Sequence, residues 1–287
     1  QAMNPNRDPS GDGYLFGSTR TSDYDKAAYS AWLRSLREVC TERKIVLIFD
    51  EVFTGFRLAF GGAQEFFGVQ ADMVTYGKTL GGGLPVGVVC GREDLMKRYR
   101  EDQPANISFA RGTFNSHPTV VAAMNSFLKK VQTPECRAIY EHSEAVWDER
   151  VQRLNAVLQA NKLPLQVANM SSILTVLYTE PARYNWLLQF YLRKHGLHLS
   201  WVGTGRLIMS LNYSDEDFAE VIDRFVAAGQ EMAAGAWWHT PENLSNENIS
   251  RMVLKDMLRA RLPFVNKDRN GHNRGAYDNP LSEIEEV

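Results

Sequence analysis

Two residues of the chain have the types and spacing that a cofactor site needs. Asp50 comes directly after the apolar run 45–49, which is too short for a helix and suits a strand. Lys78 follows a second predicted strand, residues 72–76, and precedes the glycines at 81–83. Ligands of open parallel sheets bind beyond the carboxyl ends of the strands, so we expect Asp50 and Lys78 to meet there across a bound cofactor. Glycine lets the backbone approach such a ligand closely.

The composition predicts a globular protein with one larger and one smaller α/β unit. The chain has 287 residues, 44% of them hydrophobic, and a net charge of −2. That length fits about two domains, and the balanced charge argues against a nucleic-acid partner. The apolar runs are too short to span a membrane. Cys40, Cys90 and Cys136 are too far apart for a metal clip or a disulfide framework, which favours the reducing cytoplasm.

Hydrophobic periodicity predicts a mostly parallel sheet followed by a smaller α/β unit. We expect the strand at 45–49 to be covered on both faces, because its residues are continuously apolar. Pro118 begins a helix with His117 as its cap, and Ser214 with Asp217 forms a near capping box. The further predicted strands are 72–76, 86–90, 172–178 and 207–211, and the further predicted helices are 92–100, 135–160, 184–195 and 215–232.

Two other interpretations compete with a lysine-based cofactor site. Gly77-Lys78-Thr79, together with an apolar strand that ends in Asp50, is also typical of P-loop nucleotide-binding proteins. The P-loop needs a glycine where this chain has Asp72, and its acidic strand normally follows the loop, so the spacing disfavours this class. The other interpretation makes Asp50 a turn residue and Lys78 a solvated loop lysine.

The chain resembles a known family over a long joint motif. DEVFTGFRLAFGGAQEFFG at 50–68 and DMVTYGKTLGGGLPVGVVCGREDLM at 72–96 are similar to class III pyridoxal-phosphate aminotransferases of fold type I, above all to glutamate-1-semialdehyde aminomutases. The resemblance implies an α/β fold, with the C-terminal part of the large, mostly parallel-sheet domain at 1–130. A small C-terminal domain at 131–264 and a polar tail at 265–287 follow. We expect the N-terminal part of the family fold to be absent from this chain.

The resemblance also implies a role for individual residues. Lys78 would form the Schiff base with pyridoxal 5'-phosphate, and Asp50 would pair with the pyridinium nitrogen. Val52, two residues after Asp50, would pack against the cofactor ring, or else belong to the plain core. Thr113 matches a threonine that reaches the cofactor phosphate of the neighbouring subunit, which implies a homodimer with a shared active site. Arg206 is a candidate for the carboxylate of the amino donor, with a structural role at the domain interface as its alternative.

The activity that the resemblance implies is amino transfer from an amino-acid donor to an aldehyde or ketone acceptor. A further similarity to aminotransferase domains of prodigiosin-type pyrrole biosynthesis suggests a keto-aldehyde acceptor. An aminomutase, which moves the amino group within one molecule, shares every motif quoted above. A chain that serves only dimerisation is a further alternative. Besides its substrates, we expect the chain to need the missing N-terminal part and a second copy, and no metal, nucleic acid or membrane.

Overall fold

The computed structural model describes residues 25–107, 112–180, 182, 184–198, 206–238 and 245–261, and the predicted tail at 265–287 lies outside these ranges. Two three-stranded sheets organise the described chain. The helices are α1 Lys26–Glu42, α2 Gly62–Phe67, α3 Glu93–Met96, α4 Pro118–Val131, α5 Pro134–Ala160, α6 Leu188–Lys194, α7 Asp215–Ala234 and α8 Asn246–Arg261. The strands are β1 Ile48–Asp50, β2 Met73–Gly77, β3 Gly87–Gly91, β4 Leu165–Met170, β5 Ile173–Tyr178 and β6 Arg206–Ile208, and 3-10 helices occupy Lys78–Gly81 and Asn185–Leu187.

The first sheet has the strand order β1, β2, β3. Strands β1 and β2 run parallel, with Asp50 opposite Thr75, so their carboxyl ends lie at the same sheet edge. Strand β3 runs antiparallel to β2, with Gly87 opposite Gly77. Strand β3 is therefore an antiparallel member of the sheet that the sequence predicts to be mostly parallel. The connection at residues 78–86 is shorter than the dozen or more residues that a parallel crossover requires, so the chain returns as a hairpin.

Strand β1 is less covered than its apolar sequence predicts. Ile45 lies before the strand and is 52% exposed, and Ile48 within it is 54% exposed. In the described chain β1 pairs only with β2, so the expectation of a strand covered on both faces is wrong here. The physical reason is that a continuous apolar run indicates that its residues tend to be buried, but it does not determine which other segment of the protein buries them.

The second sheet contains the main hydrophobic core. Its order is β4, β5, β6, and both pairings are antiparallel. Helices α5 and α7 pack their apolar faces on it, and Trp147 meets Phe218 edge to face at a centroid distance of 5.7 Å. Val151, Leu154 and Leu158 of α5 are all buried, and their helical spacing places them on one face of the helix.

Helix ends follow the predicted signals closely in two places. Ser214 accepts a hydrogen bond from the N–H of Asp217 at 3.1 Å, and Asp217 accepts one from the N–H of Ser214 at 2.9 Å, which makes a complete capping box. His117 occupies the cap position of α4, and its carbonyl accepts from Val121 N at 3.0 Å, whereas its side chain makes no capping hydrogen bond.

Other element predictions need correction. The helix expected at 92–100 is limited to α3, and the helix expected at 184–195 begins as a 3-10 turn before α6. Strand β4 and helix α8 were not expected from the sequence. Among the helices that the structure describes, none has the length and apolar composition of a membrane span.

A second, smaller core connects the two sheets. Tyr29 and Leu33 of α1 pack with Phe67 of α2 and with Met170 and Ile173 at the turn between β4 and β5. Phe49 of β1 packs against the same core. The domain boundary near residue 130 stays a prediction.

Candidate active site

Asp50 is held at the carboxyl end of β1 by two hydrogen bonds. Its Oδ1 accepts from the backbone N–H of Val52 at 3.1 Å and from the hydroxyl of Thr75 at 3.1 Å. Thr75 is its neighbour across the parallel pairing, so the carboxylate is oriented by both strands. The Asp50 residue itself is exposed, which leaves it accessible to a ligand at this edge.

Glu51, the next residue, points the other way and is 1% exposed. Its carboxylate accepts from the N–H groups of Ala63 at 2.6 Å and Gln64 at 3.3 Å, at the N-terminus of α2, and from the hydroxyl of Thr54 at 3.4 Å. Burial raises the pKa of Glu51, while these hydrogen bonds oppose that change. Glu51 thus fixes the loop after β1 against α2.

Lys78 begins the 3-10 helix directly after β2, and its backbone is in the left-handed region with φ of +42°. A non-glycine residue in this region is strained by about 1–3 kcal/mol, and such strain is concentrated at functional sites. The Lys78 side chain is exposed, and its Nζ lies 5.7 Å from the centre of the Phe53 ring. The lysine amine is therefore presented at the same sheet edge as Asp50.

Small residues shape the surface between the two strands. A Cβ on Gly77 would lie 3.2 Å from Cγ1 of Val52 and 3.1 Å from the carbonyl oxygen of Val86, so the backbone there is tightly enclosed. Val52 consequently lies beside the residue that precedes Lys78. Gly82 and Gly83, with φ of +57° and +96°, then turn the chain toward β3.

The structure thus brings Asp50, Val52 and Lys78 to one edge of the first sheet. Thr113 lies in an exposed turn at 113–116, and no hydrogen bond within the described residues joins it to Asp50 or Lys78. Arg206 begins β6 opposite Thr175, and its side chain lies outside what the structure describes.

Phe53 and Arg57 are two residues of this region that sequence reasoning missed. The ring of Phe53 lies near Lys78, and Cζ of Arg57 is 5.9 Å from the centre of the same ring. Both residues belong to the quoted 50–68 motif, but nothing in the residue types alone assigns them a ligand. Only the folding of the loop between β1 and α2 places Phe53 near the lysine and Arg57 near Phe53.

The opposite end of β2 is anchored by Asp72. Its carboxylate accepts from Arg37 of α1 at 2.7 Å, from Arg92 at 2.8 Å and from the backbone N–H of Leu47 at 2.8 Å. The hydrogen bond from Leu47, followed by the interaction with Arg37, lowers the pKa of Asp72 to about 2. Asp72 thus joins α1, the segment before β1 and the segment after β3. No three His, Cys, Asp or Glu side chains in the described ranges assemble as a metal site.

The fold is that of fold type I transferases, as comparison with solved structures shows. A transaminase with PLP bound aligns with a TM-score of 0.61 and 26% identity, covering 71% of this chain and 48% of that one. The β-phenylalanine aminotransferase from Variovorax paradoxus aligns with a TM-score of 0.57 and 30% identity, covering 72% and 48%. The described residues are therefore part of this α/β fold.

The family model for class III aminotransferases matches residues 25–228, and the chain belongs to this family. A glutamate-1-semialdehyde 2,1-aminomutase from Nitratidesulfovibrio vulgaris (strain DP4) is 32% identical over 206 residues, which cover 68% of this chain and 47% of that protein. The chain thus spans about half the length of the curated relatives it matches. These comparisons confirm the resemblance stated from the motifs.

Proposed function

We propose that the protein is a pyridoxal-phosphate-dependent aminotransferase in which Lys78 carries the cofactor. The observation that supports this most directly is the placement of Lys78 and Asp50 at the ends of two neighbouring parallel strands. The family match makes the P-loop alternative unnecessary.

The residues at this edge fit the cofactor chemically. An amine, a carboxylate and an apolar side chain are what a pyridoxal site requires, and Lys78, Asp50 and Val52 supply them in adjacent positions. When bound, pyridoxal phosphate supplies an aldehyde carbon that holds an amine and a ring that accepts electrons from the substrate. Gly77 has no Cβ, so Val52 and the carbonyl of Val86 pack closely against the backbone beside the lysine.

Each protein group has a distinct task in this proposal. The Asp50 carboxylate, fixed by Thr75 and the Val52 N–H, keeps a proton on the ring nitrogen through its negative charge. Lys78 holds the cofactor at rest, and its amine takes and returns a proton at the substrate Cα during turnover. Glu51 binds no substrate and keeps the intervening loop in place.

The finer features of the function are supported by the sequence resemblance alone. Our proposal for the substrates is an amino-acid donor and an aldehyde or ketone acceptor, with a keto-aldehyde of prodigiosin-type biosynthesis as the specific acceptor. We also propose a cytoplasmic homodimer in which Thr113 reaches the cofactor phosphate of the partner subunit. Arg206 stays the proposed residue for the donor α-carboxylate. The length of the relatives suggests that further polypeptide completes the active site.

An aminomutase is the second candidate, because the curated relatives quoted above carry that name. The two activities differ in whether the aminated intermediate product leaves between half-reactions. Incubation with a single amino aldehyde, without a second carbonyl compound, distinguishes them. An aminomutase converts this compound into its isomer over many turnovers, whereas a transferase that releases its product stops after one half-reaction.

Borohydride reduction followed by peptide mapping tests the proposed function. We expect the pyridoxyl group on Lys78, and we expect Lys78→Ala to abolish turnover. Lys162 provides a matched control, since its backbone is also left-handed with φ of +54° and it lies far along the chain after α5. Lys162→Ala should keep the label and the activity. A pyridoxyl group on any lysine other than Lys78 would contradict the proposal.

A further inference from the structure

The two oxygens of the Asp50 carboxylate have different surroundings. Both hydrogen bonds that hold this side chain, from the N–H of Val52 and from the hydroxyl of Thr75, end on Oδ1. Within the described ranges of the chain, no hydrogen bond reaches Oδ2. Because Asp50 is exposed at the carboxyl end of β1, Oδ2 is the oxygen that a ligand can reach. One oxygen therefore serves the protein and the other is available to a donor from outside.

Thr75 is a rigid donor to this carboxylate. It lies in the middle strand of the first sheet, opposite Asp50 on one side and Val89 on the other. Its carbonyl also accepts a hydrogen bond from the N–H of Glu51 at 2.9 Å. A β-branched side chain on a fixed strand has few allowed rotamers, so the backbone determines where the Thr75 hydroxyl lies.

The Thr75 side chain lies on the Val52 side of β2. Alternate residues of a strand point to opposite faces, so Thr75 shares its face with Gly77, whereas Tyr76 points the other way. A Cβ on Gly77 would lie 3.2 Å from Cγ1 of Val52. Tyr76 lies on the side of Glu51, since burial and, after it, the Glu51 charge raise the pKa of the Tyr76 phenol. The hydroxyl of Thr75 is therefore on the face of the proposed cofactor site.

We propose that Thr75 is a positioning residue for the cofactor: its hydroxyl holds Oδ1 of Asp50 and thereby reserves Oδ2 for the ring nitrogen of pyridoxal phosphate. This inference rests on the proposed function and deepens it, because it adds a residue from the strand that ends at Lys78. An aspartate carboxylate rotates easily about its last bond. Without the hydroxyl, only the Val52 N–H restrains that rotation, and binding the cofactor must then order the carboxylate at a cost in affinity.

Deazapyridoxal phosphate, in which a C–H group replaces the ring nitrogen, isolates this effect. Only the compound with the ring nitrogen can pair with Asp50, so the ratio of the two dissociation constants measures that pairing. Equilibrium dialysis gives both constants for the wild-type protein and its variants. We expect Thr75→Val to weaken pyridoxal phosphate about 3- to 30-fold and to leave the deaza compound nearly unchanged. Thr75→Ser should restore most of the loss, because it keeps the hydroxyl.

Thr54→Val is the matched control. Thr54 also donates to a carboxylate, that of Glu51 at 3.4 Å, but this carboxylate is buried and accepts from the N-terminus of α2. The same chemical change there should alter the affinity for both compounds by the same factor. In an Asp50→Asn background, Thr75→Val should have little further effect on pyridoxal phosphate, since residues that act through one another are not additive.

Equal weakening of the two compounds by Thr75→Val would overturn the inference, because the hydroxyl would then stabilise only the sheet. Unchanged affinity for both compounds would overturn it as well. If Thr75→Val fails to fold, Thr75→Ala removes the same hydroxyl without adding bulk. Failure of the proposed function would appear as a pyridoxyl label missing from Lys78. Failure of this inference alone would appear as a normal label with the wild-type preference for pyridoxal phosphate retained in Thr75→Val.

Discussion

Replacing Gly62 by alanine perturbs the buried contact that fixes the loop between β1 and α2. Gly62 is the first residue of α2, and its φ is +68°. A Cβ at this position would lie 2.1 Å from Oε2 of Glu51, the oxygen that accepts from the N–H of Ala63. Alanine therefore both strains the backbone and displaces the carboxylate from its hydrogen bond.

The expected cost follows from these two effects. An L-residue in the left-handed region costs about 1–2 kcal/mol. A buried N–H that loses its acceptor costs about 1–3 kcal/mol, so Gly62→Ala should lower the free energy of unfolding by roughly 2–5 kcal/mol. Gly68 provides a matched control, because its φ is +65° and no atom lies within 4 Å of its Cβ position. Gly68→Ala should show the backbone cost alone.

Urea unfolding followed by circular dichroism measures both variants under identical conditions. The difference between Gly62→Ala and Gly68→Ala isolates the displaced carboxylate, at about 1–3 kcal/mol. Gly62→Ala should also weaken cofactor binding, because Glu51 holds the loop that carries Val52. Equal destabilisation by the two alanines would refute the reasoning, since the Glu51 contact would then contribute nothing.

The remaining predictions concern charge, pH and assembly. Asp50→Asn should slow amino transfer by about two to four decades, since losing the charge of an enclosed pair costs about 3–5 kcal/mol, and near-normal turnover would contradict its role. The carboxylate of Asp72, with its pKa lowered from 3.8 to about 2, should stabilise the fold fully above pH 4 and lose that effect as the pH falls through 2. Acid unfolding of Asp72→Asn should lack this loss, and an unchanged acid profile would refute the assignment. Dilution to nanomolar protein should release cofactor if Thr113 completes the partner's site, and an active monomer in sedimentation experiments would disprove this.

The sequence was sufficient to predict the candidate lysine and carboxylate, because both follow short apolar runs and belong to a specific motif. The positions of β2 and of the capping box at Ser214 could be predicted for the same local reasons. Strand β4 could not, because Ala168 and Asn169 break the alternation of apolar and polar residues that identifies a half-buried strand. Its pairing with β5 depends on contacts that no local pattern records.

Contacts between residues that are far apart in the sequence could not be predicted from local patterns either. Glu51 looks like a second active-site carboxylate in the sequence, yet the fold turns it into the cap of α2. Arg57 looks like one of many charged loop residues, and only the three-dimensional arrangement shows that its Nε is buried without a hydrogen-bond acceptor among the described residues. The antiparallel direction of β3 could have been predicted, because the connection at residues 78–86 is too short for a parallel crossover.

The anchoring of β2 by Asp72 has a consequence for hydrogen exchange along that strand. Asp72 precedes the strand and Lys78 follows it, so the five residues between them span roughly 17 Å. Ion pairs restrain the end at Asp72, whereas the end at Gly77 is restrained by packing and strand pairing without ion pairs, so we expect fluctuations that open the strand to start at Gly77. Amide exchange should therefore slow progressively from Gly77 toward Met73. The end of the strand next to Lys78 can move when a substrate enters, while the ion pairs of Asp72 keep the pairing register of the strand unchanged.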